Sequence, residues 1–180
     1  MRTGEDEAFS PKYAVFERER RFLVDRASRP ALAGLPFVGI EDRYLDGTRL
    51  RLRHMRDSAS GLAVFKLTKK YETGDVLARP IVTAYLTEAE FEVFTALPAL
   101  VLSKRRYKTE APGGTFAIDV FGGVLDGLEL AEIEMVDDAA LRALTAPDWA
   151  IADVSEDCRY EGGHLAQLTA PEVSALIAPL

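Results

Sequence analysis

The sequence predicts an α+β protein: an eight-stranded antiparallel β-barrel, or tunnel, with a polar, charged lumen and helices packed outside. Three observations lead there. The strong apolar segments alternate with a period of two, which marks strands with two unlike faces. They follow one another through Gly-, Pro- and Asp-rich turns, without the strand–helix–strand rhythm of a parallel sheet. The polar faces also carry complementary charge, with Arg21, Arg49, Arg51, Arg53, Lys66, Lys70, Lys104, Arg106 and Lys108 set against Glu17, Glu19, Asp119, Glu132 and Glu134. A sheet curled closed with these faces inward encloses a ligand-sized polar lumen. Such a lumen needs anions and metal ions to compensate its like charges, so the fold reads as a binding device.

The elements follow in order. Residues 1–12 are polar and acidic and read as a disordered leader, leaving 13–180 as one domain, the number that 180 residues suggest. The first strand runs from about Tyr13 to Val24, with Glu17, Glu19 and Arg21 on one face and Phe16, Arg18, Arg20 and Phe22 on the other. Asp25 to Pro36 holds a short helix or turn at most. Val38 to Leu45 is a second strand, and Asp46-Gly47 signals a two-residue hairpin. Thr48 to Met55 alternates strictly, Arg49, Arg51 and Arg53 against Leu50 and Leu52. Leu62 to Tyr71 repeats the design with Lys66, Thr68 and Lys70, and Leu77 to Leu86 is a further strand broken by Pro80.

Thr87 with Glu90 forms a capping box for a helix over Phe91, Val93, Phe94 and Leu97. Leu100 to Thr109 is a strand with Lys104, Arg106 and Lys108 on one face. Pro112-Gly113-Gly114 turns into Thr115 to Phe121, where Asp119 faces away from Ile118 and Val120. Leu128 to Val136 sets Leu130, Glu132 and Glu134 against Ala131, Ile133 and Met135. Asp137 caps a helix over Ala139, Leu141 and Leu144, and from Trp149 a turn-rich segment leads to a final helix around Pro171 to Ile177.

Composition excludes several function classes. No apolar run approaches the roughly 20 residues of a membrane helix and the N-terminus is not a signal peptide, so the expectation is a cytoplasmic protein with no membrane partner. The single Cys158 excludes an internal disulfide framework and a cysteine-rich zinc site, and reads as a buried or incidental thiol. A net charge of −7 and a pI near 5.0 argue against nucleic acid as a partner. The cations nevertheless concentrate in residues 49–56, 66–70 and 104–108, which points to a local anion site. Arg49 and Lys108 stand at strand ends as rim residues, Thr68 and Tyr107 serve sheet packing, and His54 and His164 have no clustered partner.

The paired glutamates Glu17/Glu19 and Glu132/Glu134 each present two carboxylates on one strand face. Brought opposite each other, they supply the hard oxygen donors that Mg²⁺ or Mn²⁺ prefers, with waters and substrate phosphates completing the shell. Guanidinium forks and ammonium groups beyond them suit a polyanion. Carboxylates with a metal beside an array of cations is what phosphoryl transfer requires, because that chemistry is chiefly positioning and charge neutralisation.

The segments Phe16-Glu17-Arg18-Glu19-Arg20-Arg21-Phe22-Leu23-Val24, Leu50-Arg51-Leu52-Arg53, Lys66-Leu67-Thr68-Lys69-Lys70, Lys104-Arg105-Arg106-Tyr107, Ile118-Asp119-Val120-Phe121 and Gly127 to Glu134 resemble, in order, the signatures of the CYTH superfamily, the triphosphate tunnel metalloenzymes. The resemblance covers residues 13 to 168, and it implies an eight-stranded tunnel barrel. It implies Glu17, Glu19, Glu132 and Glu134 as metal ligands, with Asp119 near the metal or ordering water. Arg51, Arg53, Lys66, Lys104 and Arg106 are implied to bind phosphates, and Arg21 joins the glutamates as catalytic. The reaction implied is metal-dependent hydrolysis of a triphosphate, with inorganic triphosphate preferred because no segment suggests a base or thiamine pocket. Two alternatives stand beside it: an adenylyl cyclase making cyclic AMP, and a non-catalytic module binding polyphosphate or nucleotides. A homodimer is plausible. Two departures bear on activity: Arg21 stands where the family carries lysine, and Pro80-Ile81-Val82-Thr83 follow Arg79 where relatives place acidic residues.

Overall fold

In the computed structural model, which describes residues 12–177, the alternating segments close into one antiparallel barrel. In chain order the strands are β1 (Val15–Val24), β2 (Val38–Leu45), β3 (Leu50–Asp57), β4 (Ala63–Lys70), β5 (Ala78–Leu86), β6 (Ala99–Ala111), β7 (Gly114–Phe121) and β8 (Glu129–Glu134). Their lateral order is β5-β4-β3-β2-β6-β7-β8-β1, and β1 pairs back to β5 to complete the ring of eight. That last seam is short, from Val15↔Ile81 to Arg18↔Ala78. The rest of the same β1 edge is taken by a ninth strand, β9 (Ala150–Asp153), which pairs Phe22 with Asp153 and Leu23 with Ala152. In the gap between the two partners, the Arg21 amide donates to Ser155 Oγ at 2.9 Å and the Glu19 amide to the Leu77 carbonyl at 3.1 Å.

The strand limits agree with the alternation to within about two residues. The β2–β3 connection is looser than a two-residue hairpin. The Thr48 amide closes a turn on the Leu45 carbonyl at 3.2 Å, and pairing resumes at Tyr44↔Arg51, with Gly47 at φ 68°, a conformation glycine reaches without steric cost. Residues 25–36 form turns without a helix, and the leader expected over residues 1–12 lies, except for Lys12, outside the described residues. Strand β9 was legible only as a turn-rich segment. Ala-Ile-Ala-Asp has little strand propensity of its own, and the open edge of β1 recruits it.

Two apolar clusters hold the barrel. On its outer side Phe22, Phe116, Ile118, Ala131 and Ile133 pack with Trp149, Leu32 and Leu141. Leu141 comes from helix α2 (Asp138–Ala143), whose Asp137 cap accepts from the Ala139 amide at 2.9 Å. Helix α1 (Glu88–Thr95), which carries the expected capping box, covers another outer stretch. There Phe91 meets Phe65 with ring centroids 4.8 Å apart, and Phe65 stacks on His54 at 4.9 Å. The second cluster is inside. Leu23, Leu102, Phe121 and Leu130 share the inward faces of their strands with the charged residues, and Tyr160, Leu165, Val173 and Leu176 pack onto them. Helices α3 (Gly162–Leu165) and α4 (Ala170–Ile177) therefore plug one end of the lumen, and α1 and α2 sit against the outer wall. Cys158, read as a buried or incidental thiol, is exposed. No helix among the described residues is long and apolar enough to cross a membrane.

Candidate active site

Within the barrel and above the apolar plug lies a cavity of about 570 Å³, the size of an ordinary small-molecule site. Strand alternation fills its walls. Strand β1 contributes Glu17, Glu19 and Arg21, and β8 contributes Glu132 and Glu134. Strand β3 supplies Arg51 and Arg53, β4 Lys70, and β6 Lys104, Arg106 and Lys108. Arg79 of β5 also lines it, as do Arg49 and Glu72 from loops and Glu161 from the C-terminal segment. Nine cations thus face six carboxylates in a protein whose overall charge is −7, so the cavity is positive against the sign of the whole chain.

A chain of alternating charge links five strands, β4, β1, β8, β6 and β7. Lys70 Nζ lies 2.5 Å from Glu17 and 3.6 Å from Glu19. Arg21 reaches Glu19 at 2.8 Å and Glu132 at 3.2 Å, and donates to the Tyr160 carbonyl at 3.2 Å. Arg106 joins Glu132 to Asp119, bonding both Asp119 oxygens at 2.6 Å, and Lys104 closes the chain on Asp119. Across the lumen, Arg53 grips Asp42 through two bonds of 2.6 and 2.7 Å.

These contacts set the titration of the groups. Burial by itself would push the Glu132 carboxyl up, but Arg106, Lys104 and Arg21 outweigh it and hold the group well below the usual carboxylate range. Burial likewise opposes Lys70 and Arg51 at Glu17, and the cations prevail. At Asp42 burial is overcome by Arg53, with Arg51 and Lys104 adding to it. Glu134 differs: burial, Glu17 and Glu19 together push its carboxyl up, with Lys70 opposing. Burial pulls the Lys104 ammonium below its ordinary value despite Asp119, and pushes the Tyr44 phenol up to about 12.

A stability prediction follows for the metal-free protein. Asp42, Glu17 and Glu132 have folded-state pKa values lowered from those of the unfolded carboxylates, so the native state binds fewer protons. Their contribution is present above pH ~4 and is lost as pH falls through the depressed folded values. The urea midpoint should therefore drop steeply between pH 5 and pH 3, and a flat or rising midpoint over that window would refute the argument.

Most of the residues singled out in the sequence converge on this cavity, with two exceptions. Lys66 is not among the lining residues. Its ammonium lies 4.9 Å from the ring centre of Tyr85, which is its partner across the β4–β5 ladder, an attraction worth about 0.5–1 kcal/mol at an exposed site. Asp119 is fully buried behind the wall, and both of its oxygens serve Lys104 and Arg106. Thr68 bonds Thr83 across the sheet at 3.0 Å, and Tyr107 packs outside on Phe37 at 5.6 Å.

Three contacts escaped the sequence reading. Asp42 sits between Ile40 and Tyr44 on the inward face of β2, and its alternation with Glu41 and Arg43 was the available signal. Arg79 pairs with Glu161, which no periodicity connects to it. Tyr44 lies against Gly162 so closely that a Cβ there would meet its hydroxyl at 1.9 Å, a glycine requirement visible only in three dimensions.

As the side chains stand, no three His, Cys, Asp or Glu residues among those described gather tightly enough to hold a metal. The donor set nevertheless fits a hard divalent cation. Glu17, Glu19, Glu132 and Glu134 line one cavity on neighbouring strands, and Glu134 makes no ion pair among the described residues while burial, Glu17 and Glu19 raise its pKa. That is a concentration of negative charge that a cation would relieve.

Comparison with known proteins agrees with this geometry. No family model matches the chain. An inorganic triphosphatase of Nitrosomonas europaea is 33% identical over 153 residues, 83% of this chain and 96% of that protein. One of Acetivibrio thermocellus is 39% identical over 67 residues, 37% of this chain and 42% of that protein. The crystal structure of the inorganic triphosphatase NE1496 superposes with a TM-score of 0.56 at 26% identity, covering 84% of this chain and 95% of that one. A putative adenylate cyclase from Bacillus halodurans, 16% identical with a TM-score of 0.51 over 72% of this chain and 86% of that one, shares the fold. With a closed eight-stranded barrel, carboxylates and cations facing its lumen, and a relative matched over nearly its entire length, the chain belongs to the CYTH superfamily, the triphosphate tunnel metalloenzymes.

Proposed function

We propose that this protein hydrolyses inorganic triphosphate with the help of Mg²⁺ or Mn²⁺. The observation that carries the reading is a cavity, cationic against the sign of the whole chain, whose inner end is sealed by Leu23, Leu102, Phe121, Leu130 and Tyr160. A blind, cation-lined cup accommodates a short polyphosphate along its length. The inorganic triphosphatases among the relatives support the same substrate.

In this reading Arg51, Arg53, Lys104 and Arg106 bind the non-bridging oxygens, the two-pronged guanidinium groups taking oxygens in pairs. Glu17, Glu19, Glu132 and Glu134 hold the ion, and Asp119 orients Lys104 and Arg106 from behind. Bound there, the metal supplies charge neutralisation and a polarised water for attack on the terminal phosphorus. Arg21 keeps the positive charge of the family lysine, and its guanidinium spans Glu19 and Glu132, holding the two carboxylate strands in register. Lys66 shares a face with Arg53, its partner across the β3–β4 ladder, but its ammonium stands by Tyr85 and outside the cavity lining, so it is not assigned to the bound phosphates in this reading.

The test is phosphate release from inorganic triphosphate, ATP and thiamine triphosphate by the purified protein, with Mg²⁺, with Mn²⁺ and with excess chelator. Metal-dependent release, fastest with inorganic triphosphate, is the expected result. Cyclic AMP from ATP without phosphate release, or tight binding without turnover, would overturn it.

A further inference from the structure

The cations of this cavity are held unequally. Arg53 is nearly enclosed, and its Nε and one terminal nitrogen both donate to Asp42 at 2.6 and 2.7 Å. Arg51 stands at 3.6 Å from the same carboxylate, beyond hydrogen-bond reach, and its buried Nε has no hydrogen-bond partner. Asp42 is 1% exposed and does not line the cavity, so it touches no ligand there itself. Its register is set from both sides, paired with Arg53 on β3 and with Leu102 on β6. A carboxylate clamped between two strands therefore fixes one guanidinium and draws a second toward it by charge alone.

We infer that Asp42 is a positioning residue: it locks Arg53 with its free edge toward the lumen and keeps Arg51 close without hydrogen-bonding it, leaving the Arg51 Nε open to a phosphate. The inference rests on the reading of the cavity as a triphosphate site. A fixed fork loses little freedom when an oxygen arrives, which is where a preorganised site gains affinity. Arg53 engages phosphate before and during reaction alike, so the effect falls on binding more than on the chemical step.

Charge and orientation pull in opposite directions here, which makes the test discriminating. Removing the Asp42 charge alone favours a polyanion, because it deletes a repulsive neighbour. Loss of orientation disfavours it. Asp42→Asn keeps the volume but replaces one acceptor with an NH₂ that faces an Arg53 N–H. By calorimetry with inorganic triphosphate, and in steady-state kinetics, this variant should bind about tenfold more weakly and show KM raised by a similar factor, with kcat nearly unchanged. Tenfold is the low end of what losing an orienting partner costs a bound site.

The double variant D42N/R53Q separates positioning from general damage. If Asp42 acts through Arg53, the double variant binds triphosphate no more weakly than R53Q alone. Additive losses would overturn the inference, as would Asp42→Asn binding as tightly as the parent protein or more tightly. A parent protein that neither binds nor hydrolyses any triphosphate would overturn both this inference and the function it rests on. Thermal midpoints measured on all four proteins show which losses come from unfolding.

Discussion

Glu134→Gln is expected to lower metal-dependent triphosphate hydrolysis by at least about a hundredfold, the scale on which a single preorganised electrostatic group acts. Glu134 is the cavity carboxylate whose environment is least compensated. Glu17 and Glu132 are held below the ordinary range by their cations, whereas Glu134 is held above it by burial and by Glu17 and Glu19. In the metal-free protein that repulsion is a cost, and the amide removes it. The variant should therefore melt no lower than the parent in chelator, and it should lack the upward shift in Tm expected of the parent on adding Mn²⁺. The pairing of unchanged or improved metal-free stability with lost metal response separates a ligand from a structural residue. Hydrolysis within twofold of the parent would remove Glu134 from the site.

The opposite signature is expected at Arg106. Its guanidinium holds both oxygens of the fully buried Asp119 and also Glu132. Breaking a buried ion pair from one side leaves an uncompensated charge, at a cost of about 3–5 kcal/mol. Arg106→Gln should therefore lower Tm by on the order of 10 °C for a chain of this length, and weaken triphosphate binding in whatever protein remains folded. Adding Asp119→Asn removes the orphaned charge, so the double variant should recover a substantial part of the lost Tm without recovering binding. An unchanged Tm in the single variant would mean that Lys104 alone neutralises Asp119. A double variant as unstable as the single one would mean that the cost is packing rather than charge.

The two residues fall on different sides of what could be read from the chain. Glu134 was legible. Strict alternation after Gly127-Leu128 puts Glu132 and Glu134 on one face, and the mirrored pair Glu17/Glu19 does the same on β1, so a four-carboxylate wall needs only that the strands become neighbours. They do: Arg21 pairs with Glu132 and Glu19 with Glu134. Arg106 was legible as a lumen cation, but its task of binding Asp119 and Glu132 together was not, because that depends on β6, β7 and β8 lying side by side.

Local order in the sequence determined the strands, their faces, the helix caps at Thr87 and Asp137, and hence a charged interior. Each of these depends on neighbours one to four residues apart, and alternation and capping act over that range. Tertiary structure alone decided four things: which end of the lumen is sealed, the recruitment of Ala150–Asp153 to the edge of β1, the placing of Lys66 by Tyr85 and outside the cavity lining, and the grip of Asp42 on Arg53. None of these has a periodic signature. Each is settled by which surfaces remain unpaired once the ring closes, and by the large cost of leaving a charge or a strand edge buried without a partner.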